Sequence, residues 1–385
     1  MSGFFTAPSI AWGPGALDQL NGLGAHRPLV AIDPHVARSD PARAVQEELE
    51  KGGASVTVEV VPERPYLASQ VDALAARFTA SSPDWIVAVG GGATLDAVRA
   101  ARLRYESPEI DWASFSALAS LPEPPRSQLV AIPTTSGSGQ DASAYALLER
   151  ADGAPIELAH RALLPRWTLL DPVVARSVPA PIAAETAFEI VGQAIEAFTS
   201  AWANPFSDAL ALEAVQRTVR HWPRPARRLE DDEGRPSLHY AATAAGLAAS
   251  NAQLGLAHAF AAALRGPTRL SYGRLYAIAL PPVVEYSFPS ARDRYETIVG
   301  CLLTPDGGRP DVAERLAELR TAAELPATLA DAGVAPDALA DHRRAIVRAV
   351  LASPSALANP RVPAPADVER LLDRIASGSR SGEPP

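Results

Sequence analysis

Two segments of this sequence carry residue types suited to a phosphorylated ligand. In the first, Trp85-Ile86-Val87-Ala88-Val89 runs into Gly90-Gly91-Gly92-Ala93-Thr94 and then an alanine-rich stretch, Leu95 to Leu103. Glycines there admit a close approach of backbone to phosphate, and a following helix N-terminus adds unpaired N–H groups and a positive dipole end. The same glycines also suit a tight connection with no ligand. In the second, an apolar run leads into Ile132-Pro133-Thr134-Thr135-Ser136-Gly137-Ser138-Gly139-Gln140-Asp141. Hydroxyls and glycines at a strand's carboxyl end suit a ribose or pyrophosphate, or else an ordinary Ser/Thr turn. Asp33, closing the first long apolar run, suits a ribose hydroxyl or a helix N-cap for the segment after Pro34.

The elements that must position these loops read as βαβ units around a parallel sheet. Short β-branched runs, Pro28 to Asp33, Ser55 to Val61, Trp85 to Val89 and Gln128 to Ile132, alternate with helical segments. Ala144 to Leu148 and Ile156 to Ala159 flank the turn signal Ala151-Asp152-Gly153 and predict a hairpin, and Arg166 to Leu170 predicts a further strand. Beyond Pro181 the β signal ends. Alanine- and leucine-rich stretches follow, at Ala183 to Trp202, Pro205 to His221, Tyr240 to Leu264, Asp311 to Ala323, Pro336 to Leu351 and Ala366 to Ala376. The expected division is an α/β domain over 1–178, an all-helical domain over 179–376 and a flexible tail over 377–385, with prolines marking the junction.

With 385 residues and 47% apolar content the chain has ample core material for two domains, which excludes disorder and a small stapled scaffold. Forty-four acids against 35 bases argue against a nucleic-acid or anionic-membrane surface. The charge run Arg227-Arg228 and Glu230-Asp231-Asp232-Glu233 is the one block of like charges. Lys51 is the only lysine, a coding bias that carries no function. Cys301, the single cysteine, has no internal partner and reads as an inert buried thiol. The start lacks a basic region and long apolar run, and no stretch suits a membrane span, so a cytoplasmic, soluble protein is expected. Trp202 and Phe206, beside Asn204-Pro205, are expected to pack the helical domain.

Taken in order, these segments resemble the iron-containing (group III) alcohol dehydrogenase family. Gly90-Gly91-Gly92-Ala93-Thr94-Leu95-Asp96-Ala97-Val98-Arg99 is similar to its GGGSxxDxAK loop, and Pro133 to Gly139 to its PTTAGTG segment. Leu170-Asp171-Pro172 with Val178-Pro179 resembles its DP…P junction, and Ala245 to Ala259 its AGxAxxNAxLGxxHA segment. The resemblance implies a Rossmann-like N-terminal domain with a parallel sheet plus an all-α C-terminal domain, the dehydroquinate synthase-like architecture, with substrate in the cleft between them. It implies NAD or NADP as cofactor, held by Asp33, Gly90, Gly91, Gly92, Ala93, Asp96, Thr134, Thr135 and Ser138. Asp33 would repel a 2′-phosphate and favours NAD. A homodimer is the family habit.

The sequence departs from the family at its metal. Members hold iron or zinc with one Asp and three His, the first two as DxxxH on one helix face. Those positions here are Glu189, Gln193, His258 and Tyr272, and an accessory family histidine falls on Ala262. One imidazole and a neutral amide make poor ligands for these ions, so no tightly bound iron or zinc is expected. Glu189 and Gln193 read instead as a buried hydrogen-bonded pair, and Glu196 as core-paired or cleft-lining. The loop's lysine is Arg99, which can still meet phosphate, whereas Pro155, at the second family lysine, cannot. His160 lies on the hairpin strand expected to edge the cofactor cleft.

The resemblance, together with these departures, leads to the expectation of a metal-independent, NAD(P)-dependent carbonyl reductase or alcohol dehydrogenase with His258 or Tyr272 as the catalytic proton donor. A second reading is a dehydrogenase scaffold turned to non-redox biosynthetic chemistry, a lyase or cyclase, or a catalytically silent partner. A third is a metalloenzyme that recruits the four substituted positions as an oxygen-rich set. All three take small-molecule alcohol or carbonyl ligands, or other small pathway substrates, rather than nucleic acid or membrane.

Overall fold

In a computed structural model of the chain, residues 5–62, 66–115, 119–121, 125–176, 178–222, 234–302 and 311–378 are described. The charge run near 227–233 and the tail beyond 378 lie outside the described residues. The chain divides into two compact units, one built from Thr6–Asp152 and Ile156–Val178, the other mainly from Pro179–Pro385.

The first unit contains β1 (Ser9–Trp12), β2 (Pro28–Ile32), α1 (Asp40–Lys51), β3 (Thr57–Val60), α2 (Ala68–Ser81), β4 (Trp85–Gly90), α3 (Gly92–Glu106), β5 (Gln128–Pro133), β6 (Tyr145–Glu149), β7 (Pro155–Ala159) and β8 (Trp167–Leu170). Six strands form a parallel sheet in the order β1-β8-β5-β4-β2-β3, and β6 and β7 form the expected hairpin. β2, β4 and β5 are near-continuous apolar runs because both faces of a central parallel strand are covered. Side chains alternate between two cores. Leu29, Ala31, Ile86 and Ala88 meet Leu74 and Phe78 of α2 and Leu95 and Val98 of α3. Val30, Ile32, Val87 and Val89 face the other way, toward Val45 and Leu49 of α1.

The chain runs outward from β2 to β3 and then returns to β4 on the other side of β2, which makes a switch point between β2 and β4. Ile32 pairs with Val89 and Gly90 with Pro133, so Asp33, the glycine loop and Thr134 emerge side by side at the carboxyl edge. Asp33 is not a helix N-cap. The segment after it is a turn, and α1 begins only at Asp40, where Ser39 Oγ accepts the Ala42 amide at 3.3 Å.

The second unit is helical among the described residues: α4 (Ala180–Thr199), α5 (Pro205–Arg220), α6 (Gly234–Ala252), α7 (Leu256–Thr268), α8 (Tyr272–Ser287), α9 (Arg292–Cys301), α10 (Val312–Ala322), α11 (Pro336–Ala340), α12 (Arg343–Ala352), α13 (Pro354–Ala358) and α14 (Pro365–Ser377). From Ala187 to Thr199, α4 is buried on every side, the signature of a central helix. The stretch Tyr240 to Leu264 is not one helix. It breaks at Gln253, whose φ is +66°, and restarts after Gly255, while Pro336 to Leu351 is likewise interrupted after Ala340. Trp202 and Phe206 do not pack the interior: they are 54% and 68% exposed. They flank the entry to α5, where Asn204 caps the helix, and the ring of Phe206 meets that of Phe5. No helix among the described residues is long and apolar enough to cross a membrane.

Candidate active site

At the sheet's carboxyl edge the glycine loop is shaped by the protein's own neighbours. A Cβ on Gly90 would lie 2.6 Å from Thr94 Cγ2 and 3.0 Å from Asp33 Cβ, and one on Gly92 would overlap the Ser138 side chain. The glycines thus let Asp33, Thr94 and Ser138 close around the entry to α3. Gly91 is the N-cap of α3 and, as a glycine, gives that terminus no side-chain cap of its own. Ala93 follows, half-buried, in its first turn.

Asp33 is 7% exposed and its oxygens are oriented. Oδ2 accepts the Thr94 hydroxyl at 2.6 Å and Oδ1 accepts the His35 amide at 2.9 Å. Tyr66 Oη shares the Thr94 hydroxyl at 2.9 Å. Thr134 is buried, with its amide on Gly90 O at 3.0 Å, while Thr135 and Ser138 are half-buried on the same loop.

Arg99 does not reach toward a ligand. It is 1% exposed and its guanidinium is spent on the protein: Asp96 at 2.6 Å, Gln140 Oε1 at 2.7 Å, the Ser143 carbonyl at 2.5 Å and the Tyr145 carbonyl. Burial works against its charge and the Asp96 carboxylate supports it. Asp96 also accepts the Leu147 amide at 3.1 Å, so this carboxylate faces β6 and Arg99. The lysine position of the loop has become a rivet between α3 and the hydroxyl-rich segment. His160 is likewise committed, with Nδ1 accepting the Ala162 amide and Nε2 donating to the Ala119 carbonyl, both at 3.0 Å.

The four positions expected from the resemblance to match metal ligands all lie in the helical unit. Glu189 and Gln193, one turn apart on α4, are both buried, and the Gln193 amide donates to Glu189 Oε1 at 3.2 Å. Tyr272, the first residue of α8, bonds His258 Nδ1 through its hydroxyl, and the two rings meet edge to face with centroids 5.8 Å apart. Gly273 lets this first turn sit on α4, since a Cβ there would lie 2.6 Å from the Glu185 carbonyl oxygen. Glu185 then fastens the turn by accepting from Ser271 Oγ at 2.7 Å and Arg274 Nε at 2.6 Å.

Where a one-Asp, three-His set would offer one carboxylate and three imidazoles, these residues offer one carboxylate, one carboxamide, one imidazole and one phenol, with the imidazole engaged by the phenol and the amide nitrogen by the carboxylate. What the cluster can do is move a proton, because a phenol bonded to an imidazole is an acid/base pair.

Sequence reasoning left Glu196 undecided, and Tyr276 went unremarked. Both join this cluster: Tyr276 Oη donates to Glu196 Oε2, and its ring lies 5.4 Å from that of Tyr272. The spacing of Tyr272 and Tyr276, one helical turn, was the available signal for the second tyrosine.

Comparison with known proteins places the chain. The model of the iron-containing alcohol dehydrogenase family matches residues 7–172, and that of the C-terminal domain of the Fe-containing alcohol dehydrogenase family matches 183–376. The chain is 34% identical over 247 residues to an alcohol dehydrogenase of Thermococcus barophilus, a match that spans 62% of this chain and 63% of the relative. It is 30% identical over 387 residues to the 1-propanol dehydrogenase PduQ of Citrobacter freundii, covering 97% of this chain and all of that one. The structure of an iron-containing alcohol dehydrogenase from Thermococcus thioreducens superposes with a TM-score of 0.86 at 28% identity, over 98% of this chain and 100% of that one. The chain belongs to the iron-containing alcohol dehydrogenase family, and through it to the oxidoreductases that act on CH–OH groups.

Proposed function

We propose that the protein is an NAD(P)-dependent dehydrogenase or reductase of small alcohols and carbonyl compounds in which Tyr272 and His258, rather than a tightly bound metal, handle the oxygen of the reacting group. The observation that carries this reading is the hydrogen bond between Tyr272 Oη and His258 Nδ1, at positions where relatives of the resembled pattern carry metal ligands.

A dinucleotide fits the sheet's carboxyl edge. The N-terminus of α3, opened by a glycine N-cap, suits its phosphates, and Asp33, fixed by Thr94 and His35, suits a ribose hydroxyl and disfavours a 2′-phosphate, so NAD is the expected cofactor over NADP. Gly90, Gly91, Gly92, Ala93, Thr134, Thr135 and Ser138 border that edge. Asp96 supports it indirectly, through Arg99. When bound, a nicotinamide supplies or accepts the hydride.

Proton movement falls to the helical unit. With the proton on His258 Nδ1, the phenol oxygen of Tyr272 accepts from the imidazole and directs its own O–H away from it, toward a substrate oxygen. In reduction the phenol proton passes to the oxygen as the carbonyl carbon gains hydride, and the phenolate is held by Nδ1–H until solvent reprotonates it. Oxidation runs the same steps backward. Relatives that act on short alcohols support a small-molecule substrate.

The test is a fluorescence or calorimetric titration with NADH and NADPH, with metal content determined on the same sample. Saturable NADH binding at substoichiometric metal, with nicotinamide-dependent turnover of aldehydes or alcohols, is the expected outcome. Turnover that tracks added zinc or iron would return the reaction to metal chemistry, and failure to bind either dinucleotide would favour non-redox use of the scaffold.

A further inference from the structure

The helix that carries His258 has its N-terminus capped by side chains from elsewhere in the helical unit. Glu196, on α4, accepts the Ala257 amide on Oε1 at 2.7 Å and the His258 amide on Oε2 at 3.2 Å. Asn359 Oδ1 accepts the Leu256 amide at 3.2 Å, and its own nitrogen is anchored on Ser287 Oγ at 3.0 Å and the Arg361 carbonyl at 2.7 Å. Three amides of the first turn of α7 are thus satisfied by two distant residues, with a carboxylate at the positive end of the helix. Gly255 makes room for both: a Cβ there would lie 2.7 Å from Glu196 Oε1 and 3.0 Å from Asn359 Oδ1.

The same carboxylate takes a second load. Tyr276 Oη donates to Glu196 Oε2, and the Tyr276 ring, fully buried, lies against Gly192 of α4, where a Cβ would overlap it. That ring in turn supports the ring of Tyr272 one turn earlier on α8. Glu196 therefore holds the backbone of His258 from one side and the aromatic platform under Tyr272 from the other. It is 4% exposed, and burial raises its carboxyl group above the usual carboxylate range against the pull of these donors.

We propose that Glu196 is the positioning residue of the Tyr272–His258 pair: by clamping the first turn of α7 and the Tyr276 phenol of α8 on one carboxylate, it sets the length of the hydrogen bond through which the imidazole orients the phenol and holds the phenolate. The inference rests on the proton-transfer reading given above and adds to it the group that fixes its geometry. Glu196 itself touches neither substrate nor cofactor in this scheme.

Glu196→Gln keeps the size but replaces one accepting oxygen with an NH2 group. Whichever way the amide turns, a donor then faces a donor. Displacement of the pair should lower kcat by about ten- to hundredfold, since misplacement on the order of 1 Å has that effect, while KM for the alcohol and binding of the dinucleotide stay within about twofold. Gly255→Ala pushes the carboxylate aside without removing it and should reproduce the loss, which keeps the test open if Glu196→Gln folds poorly. The deciding measurement is a double-mutant cycle with Tyr272→Phe. If Glu196 acts through the pair, its substitution costs little further kcat once the phenol is gone. A full multiplicative loss in the Tyr272→Phe background, or an unchanged kcat in both Glu196→Gln and Gly255→Ala, overturns the inference. Undiminished kcat in Tyr272→Phe alone removes the proton-transfer reading, and the positioning role with it.

Discussion

The hydroxyl of Tyr272 is bonded to Nδ1 of His258 across two helices of the second unit, α8 and α7. The bond makes the phenol and the imidazole a single acid/base unit, so removing either half should impair the same step. Tyr272→Phe keeps the ring that packs on Tyr276 and deletes only the hydroxyl, while His258→Ala deletes the partner. Each should lower turnover by about a hundredfold or more, in the range of general acid–base contributions, with thermal stability of Tyr272→Phe near that of the native chain. Steady-state rates of the two variants with native-like activity would overturn the assignment.

The metal positions make a complementary prediction. If Glu189, Gln193, His258 and Tyr272 stand where a one-Asp, three-His site stood, the combined variant Glu189→Asp, Gln193→His and Tyr272→His rebuilds that donor set on a scaffold whose α4 already presents two of the four one turn apart. After dialysis against zinc or ferrous iron and then buffer, elemental analysis should find close to one equivalent in the triple variant and far less in the native chain. Equally low metal content in both would show that the four positions do not converge, and about one equivalent in both would show that the native residues already hold the ion.

How much of this could be read from the residues depends on how local each determinant is. The sheet was legible because β2, β4 and β5 are apolar runs that end in turn residues, Asp33-Pro34 after β2 and the glycine and hydroxyl turns after β4 and β5, a pattern contained within each element. The break between α6 and α7 was not, since alanine and leucine recur on both sides of it and the positive φ falls on Gln253, a residue with no such habit, rather than on Gly255. Glu196 gives no local sign of its role, because the amides it accepts come from a helix start 61 residues later. Arg99 invited a phosphate reading from its place in the loop motif, and only its depth in the fold shows that its donors are spent on Asp96, Gln140 and three carbonyls.

That reassignment of Arg99 can be checked directly. A buried ion pair broken on one side leaves the other charge uncompensated, so Arg99→Ala should destabilise the α/β unit by about 3 kcal/mol or more, seen as a lower denaturant midpoint at unchanged slope. A residue whose business was a bound phosphate would behave in the opposite way. Its loss would leave the apo protein as stable as before and raise only the Kd for NADH, and that outcome would restore the ligand-binding reading.

His239, on α6, links the stability of the helical unit to pH. It is 1% exposed, and burial lowers its imidazole to about 4, against an ordinary value near 6.5. The folded chain therefore keeps the ring neutral through a range where the unfolded chain protonates it. Stability is unaffected by this group above about pH 6.5, falls as pH drops toward 4, and loses no more below that, where both states carry the proton. The span corresponds to about 3 kcal/mol at most, at 1.36 kcal/mol per pH unit. Urea denaturation at pH 7.5 and 5.0 should show the native chain losing stability between the two, and His239→Leu losing measurably less. Other groups titrate in both proteins and cancel in the comparison, so equal losses would mean that this histidine is protonated in the folded state or already relieved of its burial.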